Sequence, residues 1–346
     1  MSSVDVVVPC YNYGRYLRAC VGSILSQRDV DVRVLIIDDK SSDDSAEIGM
    51  ALAASDPRVT YRRHEVNRGL IGTANEGIDW VTATYWLLLS ADDALTPGAL
   101  SRAATVLDAH PGVGMVYGIA EIVGGEAGLP DLPDPGAPTF RIVSGSDFLQ
   151  RSCEHGNPVP SPCAVVRTSL QKELGGYCPH LPHTSDLEMW MRLATRASIG
   201  VVHESQGFYR WHRANMSADF YGQPVSDRRE RILTCREVLE KWGSGHPDLG
   251  KWVTKMEHAL AREALILASF AYERDDDDRR WREMMAFAAE HDPAMWRSVV
   301  YWKFQLKRLV GREVARRIRG SGTLWSDDKN LWHMQAHQVG WWPDVD

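Results

Sequence analysis

Two pairs of acidic residues, Asp38-Asp39 and Asp92-Asp93, stand where they could bind a cation or a polar ligand. Each pair follows an apolar run closely, residues 32–37 in the first case and residues 85–89 in the second. One such pair alone is most often part of a turn or a helix cap. Two pairs at one edge would repel each other unless a hard cation, or the hydroxyl and N–H groups of a ligand, compensated their charge. The pairs therefore predict a ligand site if the apolar runs are neighbouring strands.

The apolar runs belong to an alternation of short β-branched segments and helical segments that extends from residue 4 to residue 118. Buried strands are predicted at residues 4–8, 32–37, 85–89 and 113–117. One intervening helix has Leu17, Val21 and Ile24 on a single face, and another is predicted to start at Thr96-Pro97. This alternation requires parallel strands with crossover helices, and ligands bind such sheets beyond the carboxyl ends of the strands. The acidic pairs lie at those ends.

The remainder of the chain changes character twice. Glycine and proline dominate residues 124–138, which predicts a long surface loop. A smaller α/β portion follows, and residues 226–320 show helical periods with almost no strand character. We predict one α/β domain over residues 1–220, with halves at 1–120 and 140–220, and a helical region over 226–346.

The composition excludes several classes of protein. The 346 residues carry a net charge of -7, which gives no broad attraction for nucleic acid. Six scattered cysteines without a Cys-x-x-Cys pair predict reduced thiols. The first nine residues run directly into a strand pattern, and no window of about 18 apolar residues occurs, so we expect neither a signal peptide nor a membrane span and predict a cytoplasmic protein.

A series of motifs in a fixed order resembles the family 2 glycosyltransferases, which have the GT-A fold. The match covers roughly residues 3–217, and its motifs fall on the predicted strand ends. In chain order they are Val8-Pro9-Cys10-Tyr11-Asn12, Asp38-Asp39 with Ser42-Asp43, Asn67-Arg68-Gly69 with Ala74-Asn75, Leu89 to Asp93, Gly175-Gly176-Tyr177, Ser185-Asp186-Leu187-Glu188 with Trp190 and Arg192, and Tyr209-Arg210 with His212 and Asn215.

The resemblance implies a GT-A type, Rossmann-like mixed sheet flanked by helices, and transfer of a sugar with inversion from a nucleoside-diphosphate sugar to an acceptor that the sequence does not identify. It also implies a divalent cation, Mn²⁺ or Mg²⁺. The implied nucleotide-binding residues are Pro9, Tyr11, Asp38, Asp39, Arg68 and Ala91, and the implied metal-binding residues are Asp92, Asp93 and His212.

The metal-binding segment departs from the family pattern in one residue. Ser90 stands where the family usually has the first aspartate of Asp-x-Asp. A divalent cation that bridges two phosphates needs only one or two protein carboxylates, because phosphate and water fill the other positions. Asp92 is therefore expected to suffice, with Asp93 and His212 as additional ligands or phosphate contacts.

Asp186 is the expected general base, since an inverting transfer needs a carboxylate that takes the proton of the acceptor. A second interpretation competes with this one. Ser185 and Glu188 have the spacing of a capping box, and an aspartate in the first turn of a helix interacts favourably with the helix dipole. On that interpretation Asp186 only starts a helix, and Glu188 is the capping partner.

Residues 297–319 predict a basic amphipathic helix. Its apolar positions recur at helical spacing and are Val299, Trp302, Leu306, Leu309, Val314 and Ile318. Such a helix either lies on an anionic membrane surface or packs its apolar stripe into the core, and the core interpretation is favoured because most such stripes are buried. The end of the chain, with Trp325, Trp332, Trp341 and Trp342, is expected to dock on the body of the protein or on another subunit.

Other nucleotide-binding classes fit the sequence less well. No Gly-x-Gly-x-x-Gly and no basic glycine-rich loop follows the first predicted strand, which disfavours an oxidoreductase and a nucleotidyltransferase. A homologue that binds sugar nucleotides or acceptors without catalysis is the alternative that Ser90 keeps open.

Overall fold

The computed structural model describes residues 1–212, 215, 224–274, 278–314 and 338–339. The chain divides into two compact units, Met1–Asn215 with Trp332–Asp346, and Met216–Leu331. The strands are β1 Ser3–Cys10, β2 Asp31–Asp38, β3 Val59–Arg63, β4 Tyr85–Leu88, β5 Ala94–Leu95, β6 Val113–Gly124, β7 Phe140–Val143, β8 Val165–Arg167, β9 Ser198–Trp211 and β10 Gln338–Val339. The helices of the first unit are α1 Gly14–Leu25, α2 Ser45–Ser55, α3 Gly69–Trp80, α4 Ala99–Ala109, α5 Gly145–His155, α6 Thr168–Leu174 and α7 Ser185–Ala194.

Ten strands of the described residues form one mixed sheet in the first unit. Along the sheet the order is β3-β2-β1-β4-β8-β6-β9-β5, with β10 beside β6 and β7 beside β9. The sequences of β1, apart from Ser3 and Asp5, and of β4 are apolar because both strands are buried in the centre of the sheet. Leu17, Val21 and Ile24 of α1 are buried against this sheet, as their spacing predicts. The mixed α/β fold expected from the sequence is thus confirmed.

Two elements of the first unit differ from the sequence-based expectation. The helix predicted to start at Thr96-Pro97 begins at Ala99, because Gly98 precedes it in a left-handed conformation with φ of 73°. The strand predicted at residues 113–117 continues to Gly124 as β6, since it pairs in parallel with the long strand β9. Residues 125–139 then form the mainly exposed loop that their glycines and prolines predict.

The second unit is helical over its described residues. Its helices are α8 Pro224–Trp242, α9 Leu249–Arg274, α10 Asp278–His291 and α11 Val299–Val310. The sequence predicts a helical region that continues to residue 346, but Gln338 and Val339 pair antiparallel with β6, and residues 332–346 group with the first unit. The four terminal tryptophans lie outside the described residues, so their predicted docking stays a prediction.

Two further sequence-based expectations concern cysteines and membranes. All six cysteines are free thiols, and all but Cys178 are buried. No helix among the described residues is long and apolar enough to cross a membrane.

Candidate active site

The carboxyl ends of β1, β2 and β4 lie side by side. β1 pairs in parallel with β2 on one side and with β4 on the other, so that Cys10 lies opposite Asp38 and Val7 opposite Leu88. The polar turns that follow the three strands therefore meet at one edge of the sheet, as in other open α/β sheets. This edge brings both acidic pairs of the sequence into one region.

Asn12 holds the turn after β1 against the turn after β2. Its backbone has φ of 59°, its N–H donates to Ser41 Oγ at 2.9 Å, and its Oδ1 accepts from the N–H of Ser42 at 2.8 Å. The neighbouring Tyr11 side chain remains 50% exposed. An aromatic ring on a fixed backbone with one half open to solvent is suited to stack on a planar ligand. Pro9, near the end of β1, is buried.

Asp38 is fully buried, and both of its carboxylate oxygens accept hydrogen bonds from neighbouring groups of the protein. Its Oδ1 accepts from the N–H of Ser41 at 2.8 Å, and its Oδ2 accepts from the Tyr61 hydroxyl at 2.8 Å. The guanidinium of Arg63 lies 3.4 Å from Oδ2. Burial, with a smaller contribution from Asp38, raises the pKa of Tyr61 above its usual range. Asp38 therefore fixes the turn on which Asp39 stands.

Asp39 is bound by groups at the start of α3. Its two oxygens accept from the backbone N–H groups of Arg68 at 2.7 Å and Gly69 at 2.8 Å. His64 lies between two carboxylates, with Nδ1 2.7 Å from Asp39 Oδ1 and Nε2 3.0 Å from Glu76 Oε2. The exposed guanidinium of Arg68 lies 3.0 Å from Glu76. His64 belongs to none of the sequence motifs, although it fixes the orientation of Asp39.

β9 brings Arg210 and His212 to the turn that carries Asp92 and Asp93, because β9 pairs antiparallel with the short strand β5 directly after that turn. The N–H of Arg210 donates to Asp93 Oδ1 at 2.8 Å, and Arg210 Nε donates to the carbonyl of Asp92 at 2.9 Å. Burial and the neighbouring Asp92 raise the pKa of Asp93 well above its usual range. Asp93 therefore ties this turn to the backbone of β9. Ala91, which precedes the pair, is fully buried.

His212 faces Asp92, with Nε2 3.0 Å from Asp92 Oδ2. Its ring stacks on Tyr16 at a centroid distance of 5.5 Å and an interplanar angle of 14°, and it meets the edge of Tyr13. His212 Nδ1 is buried and has no hydrogen-bond partner among the residues that the structure describes. The backbone N–H of His212 donates to Asn215 Oδ1 at 2.6 Å, which fixes this end of β9.

The pair of Asp92 and His212 fits a small divalent cation. Neighbouring ligands of an octahedral ion lie about 3.0 Å apart when each is about 2.1 Å from the metal. Among the described residues, no group of three or more His, Cys, Asp or Glu side chains is arranged to hold a metal ion. A cation held by Asp92 and His212 would therefore take its remaining ligands from phosphate oxygens and water.

Asp186 is attached to the same edge of the sheet through β8. β8 pairs antiparallel with β4, and Val165 lies opposite Leu87, so the residues before β8 lie where β4 ends. One of them, Ser161, donates to Asp186 Oδ2 at 3.3 Å, and Asn157 Nδ2 donates to the same oxygen at 2.8 Å. Burial raises the pKa of Asp186 above its usual range. A half-buried, oriented carboxylate with a raised pKa has the properties of a general base.

The capping box predicted for α7 is wrong. α7 begins at Ser185, so the N-cap is Thr184 and not Ser185, and the Thr184 side chain makes no capping hydrogen bond. Asp186 Oδ1 accepts from the N–H of Leu187 at 2.7 Å. Glu188 is buried and forms an ion pair with Arg192 at 2.6 Å, and Arg192 also donates to the carbonyls of Leu174 and Gly176 at 2.6 and 2.8 Å. Glu188 therefore orients Arg192, and Arg192 in turn binds the carbonyls of the loop before α7.

Asn75 of α3 joins that loop to the first half of the domain, residues 1–120. Its Oδ1 accepts from the N–H of Tyr177 at 2.7 Å, and its Nδ2 donates to the carbonyl of Tyr177 at 3.0 Å. Gly176 packs so closely on Asn75 that a side chain at position 176 would collide with it. The Gly175-Gly176-Tyr177 motif and Asn75 therefore form one structural contact across 102 residues of sequence.

We expect Asn75→Ala to lower the free energy of unfolding by about 1 to 3 kcal/mol, because it leaves the part-buried N–H and carbonyl of Tyr177 without partners. Chemical denaturation of the variant and the wild type measures this difference. Asp79→Ala is the control, since Asp79 is an exposed residue of the same helix and its loss should change the stability by no more than about 0.5 kcal/mol. Equal stabilities of the two variants would contradict the structural role of Asn75.

The chain is similar to several known proteins. Residues 5–174 match the model of glycosyl transferase family 2. The chain is 27% identical over 241 residues to the uncharacterized protein MT1568 of Mycobacterium tuberculosis, covering 67% of this chain and 74% of that protein. It is 27% identical over 212 residues to the uncharacterized glycosyltransferase alr2836 of Nostoc sp., covering 61% of this chain and 66% of the relative.

Two solved structures share the fold. S. aureus TarS 1–349 in complex with UDP-GlcNAc has a TM-score of 0.62 at 16% identity, over 94% of this chain and 93% of that chain. The mannosyltransferase PcManGT from Pyrobaculum calidifontis in complex with GDP-Man and Mn²⁺ has a TM-score of 0.53 at 15% identity, over 92% of this chain and 88% of that chain.

The mixed sheet, its acidic edge and these similarities define a glycosyltransferase with the GT-A fold. Through residues 5–174 the chain belongs to glycosyl transferase family 2, which confirms the resemblance found in its motifs.

Proposed function

We propose that the chain transfers a sugar, with inversion at the anomeric carbon, from a nucleoside-diphosphate sugar to the hydroxyl group of an acceptor. The observation that carries this proposal is the arrangement at one sheet edge of Asp92 beside His212 and of Asp186 held by Asn157 and Ser161. The first pair suits the diphosphate of a donor, and Asp186 suits the proton transfer that an acceptor needs.

The donor is bound by the turns after β1, β2 and β4. The half-exposed ring of Tyr11 stacks on the base, while Asp39 and the exposed Arg68 provide polar contacts to the nucleoside. Asp38 and Ala91 contribute by shaping the turns, since both are fully buried. TarS with UDP-GlcNAc and PcManGT with GDP-Man support a nucleotide sugar as the donor class.

Asp92 and His212 would hold the divalent cation, Mn²⁺ or Mg²⁺, and Asp93 supports the turn through Arg210. The Mn²⁺ in PcManGT supports the choice of cation. When bound, such a cation neutralises the negative charge that develops on the departing diphosphate.

Asp186 takes the proton from the acceptor hydroxyl as its oxygen forms a bond to the anomeric carbon. The bond from that carbon to the diphosphate breaks on the opposite face, which inverts the configuration. Burial makes Asp186 a stronger base, and the hydrogen bonds from Asn157 and Ser161 keep its carboxylate oriented. The acceptor is a glycan, a lipid-linked sugar or a small molecule, and six reduced thiols support action in a reducing compartment such as the cytoplasm.

A thermal-shift screen of uridine, thymidine and guanosine diphosphates, with and without manganese, tests the donor site. We expect one diphosphate to stabilise the protein by about 2.7 kcal/mol at 100 times its Kd, and to do so at lower concentration with manganese. The corresponding monophosphate is the control and should show no dependence on manganese, because it lacks the second phosphate.

Failure of every diphosphate to respond to manganese would contradict the cation site at Asp92 and His212. Release of the nucleotide from a donor sugar then separates an enzyme from the alternative, a homologue that only binds. A binding protein would be stabilised by the nucleotide but would release none from any donor.

A further inference from the structure

The outer face of α11 exposes large apolar side chains. Trp302 is 60% exposed and Leu309 is 83% exposed. Together with Trp296, Val299 and Leu306, which are also exposed, they form what we call the α11 face. The spacing of three, four and three residues from Val299 to Leu309 places its helical members on one side of the helix. Soluble proteins seldom leave such a contiguous apolar stripe open without an interaction partner.

The opposite side of α11 anchors the helix in the second unit. Phe304 is fully buried, and its ring meets those of Tyr272 and Trp281 at centroid distances of 5.8 Å. Lys307 donates to Ser269 Oγ at 2.9 Å and is paired with Glu273. The interpretation favoured by the sequence, a stripe packed into the core, is therefore wrong for the described residues. On its other side, α11 contributes one buried aromatic side chain, that of Phe304, to the second unit.

The charged side chains of α11 itself, and Arg297 before it, are all basic. Arg297, Lys303 and Arg308 have no carboxylate partner among the described residues of the chain. Arg297 lies over the ring of Trp296 at 5.1 Å, and Arg308 lies over Trp281 at 4.8 Å. From residue 297 to residue 312 the sequence contains no acidic residue, although the whole chain has a net charge of -7. The charge of this segment is thus opposite in sign to the net charge of the protein.

We propose that the α11 face binds the surface of a bilayer that contains anionic lipids. Apolar side chains that include tryptophan enter the boundary between headgroups and acyl chains, and lysine and arginine beside them attract anionic headgroups. A second copy of the chain fits this face less well, because a symmetric contact would bring its unpaired cations together. The proposal does not depend on the proposed function.

Flotation of the full-length protein with vesicles tests the proposal. Vesicles of phosphatidylcholine mixed with phosphatidylglycerol should recover the wild type, and recovery should fall as salt rises. The double variant Trp302→Ser/Leu306→Ser should bind these vesicles at least about tenfold more weakly, because it loses two apolar contacts with the bilayer. Leu233→Ser is the matched control, since Leu233 is an exposed leucine on α8 of the same unit. It should bind as the wild type does.

Both replaced residues are exposed, so the double variant should keep the melting temperature of the wild type, which a thermal scan verifies. The proposal is overturned if anionic vesicles recover no more wild type than phosphatidylcholine alone. It is also overturned if the double variant is recovered as well as the wild type. A wild-type dimer that the double variant dissociates, without recovery on vesicles, would assign the face to a second copy of the chain and overturn the proposal.

Discussion

Replacement of Asp186 by asparagine is expected to lower the rate of glycosyl transfer by about 10²- to 10⁴-fold. An amide cannot accept the proton of the acceptor hydroxyl, yet it keeps the size of the side chain and an oxygen that can accept from Asn157 and Ser161. Donor affinity should stay near that of the wild type, because Tyr11, Asp39 and the pair of Asp92 and His212 are unchanged. Single-turnover rates and nucleotide binding, measured on the same preparation, separate the two effects.

Asp147→Asn is the matched control for this variant. Asp147 also stands in the first turn of a helix, α5, where its Oδ2 accepts from the hydroxyl of Ser144 at 2.7 Å. Both substitutions remove a carboxylate near a helix N-terminus, which costs roughly 0.3 to 1 kcal/mol of stability. If Asp186→Asn behaves like Asp147→Asn, with normal transfer and a slightly lower melting temperature, then Asp186 only starts α7. Glu188 would not replace it as the base, because Glu188 is buried in its ion pair with Arg192.

Asp92→Asn is expected to reduce turnover by on the order of 10²- to 10³-fold and to abolish the additional stabilisation that manganese gives with a nucleoside diphosphate. The fold should survive, because among the described residues the carboxylate of Asp92 is hydrogen-bonded to His212 and to no backbone group. Thermal shift with and without manganese gives a result that does not depend on activity.

Asp93→Asn provides the comparison for Asp92. An asparagine at position 93 keeps the oxygen that accepts from the N–H of Arg210, so turnover and the manganese effect should remain within a few-fold of the wild type. Loss of the manganese effect in Asp93→Asn, with retention in Asp92→Asn, would exchange the roles of the two aspartates. Unchanged turnover of Asp92→Asn at limiting manganese would remove Asp92 from the cation site.

The sequence predicted the main part of the sheet because its central strands are buried on both faces. Residues 4–8, 32–37 and 85–89 are apolar runs between amphipathic helices, and this pattern specifies both the strands and the edge at which their turns meet. β5, β7 and β8 have two to four residues each, which is too short to show a period of two. Their positions depend on pairing with distant strands, which no local pattern contains.

The sequence predicted which types of residue form the candidate site, but it did not predict the separate role of each residue. Asp38 and Asp39 look equivalent in sequence, and only the structure shows that the first is fully buried while the second binds the start of α3. His64 lies in a polar segment that resembles a surface strand. The burial of His64 depends on the pairing of β3 with β2 and on its contact with Glu76 of α3. The same limit explains α11, where periodicity located a stripe but could not show which side of the helix is covered.

The contact between Asn75 and the Gly176-Tyr177 peptide has a consequence for engineering hybrids of this enzyme. Recombination of residues 1–120 with residues 140–220 of a relative would cut between the two partners of this contact, since one lies in each segment. A hybrid that brings any side chain to position 176 would displace the Asn75 side chain from its hydrogen bonds with Tyr177, because the amide of Asn75 fills that space. Crossover points in such hybrids should therefore be chosen so that Asn75, Gly176 and Tyr177 come from the same parent.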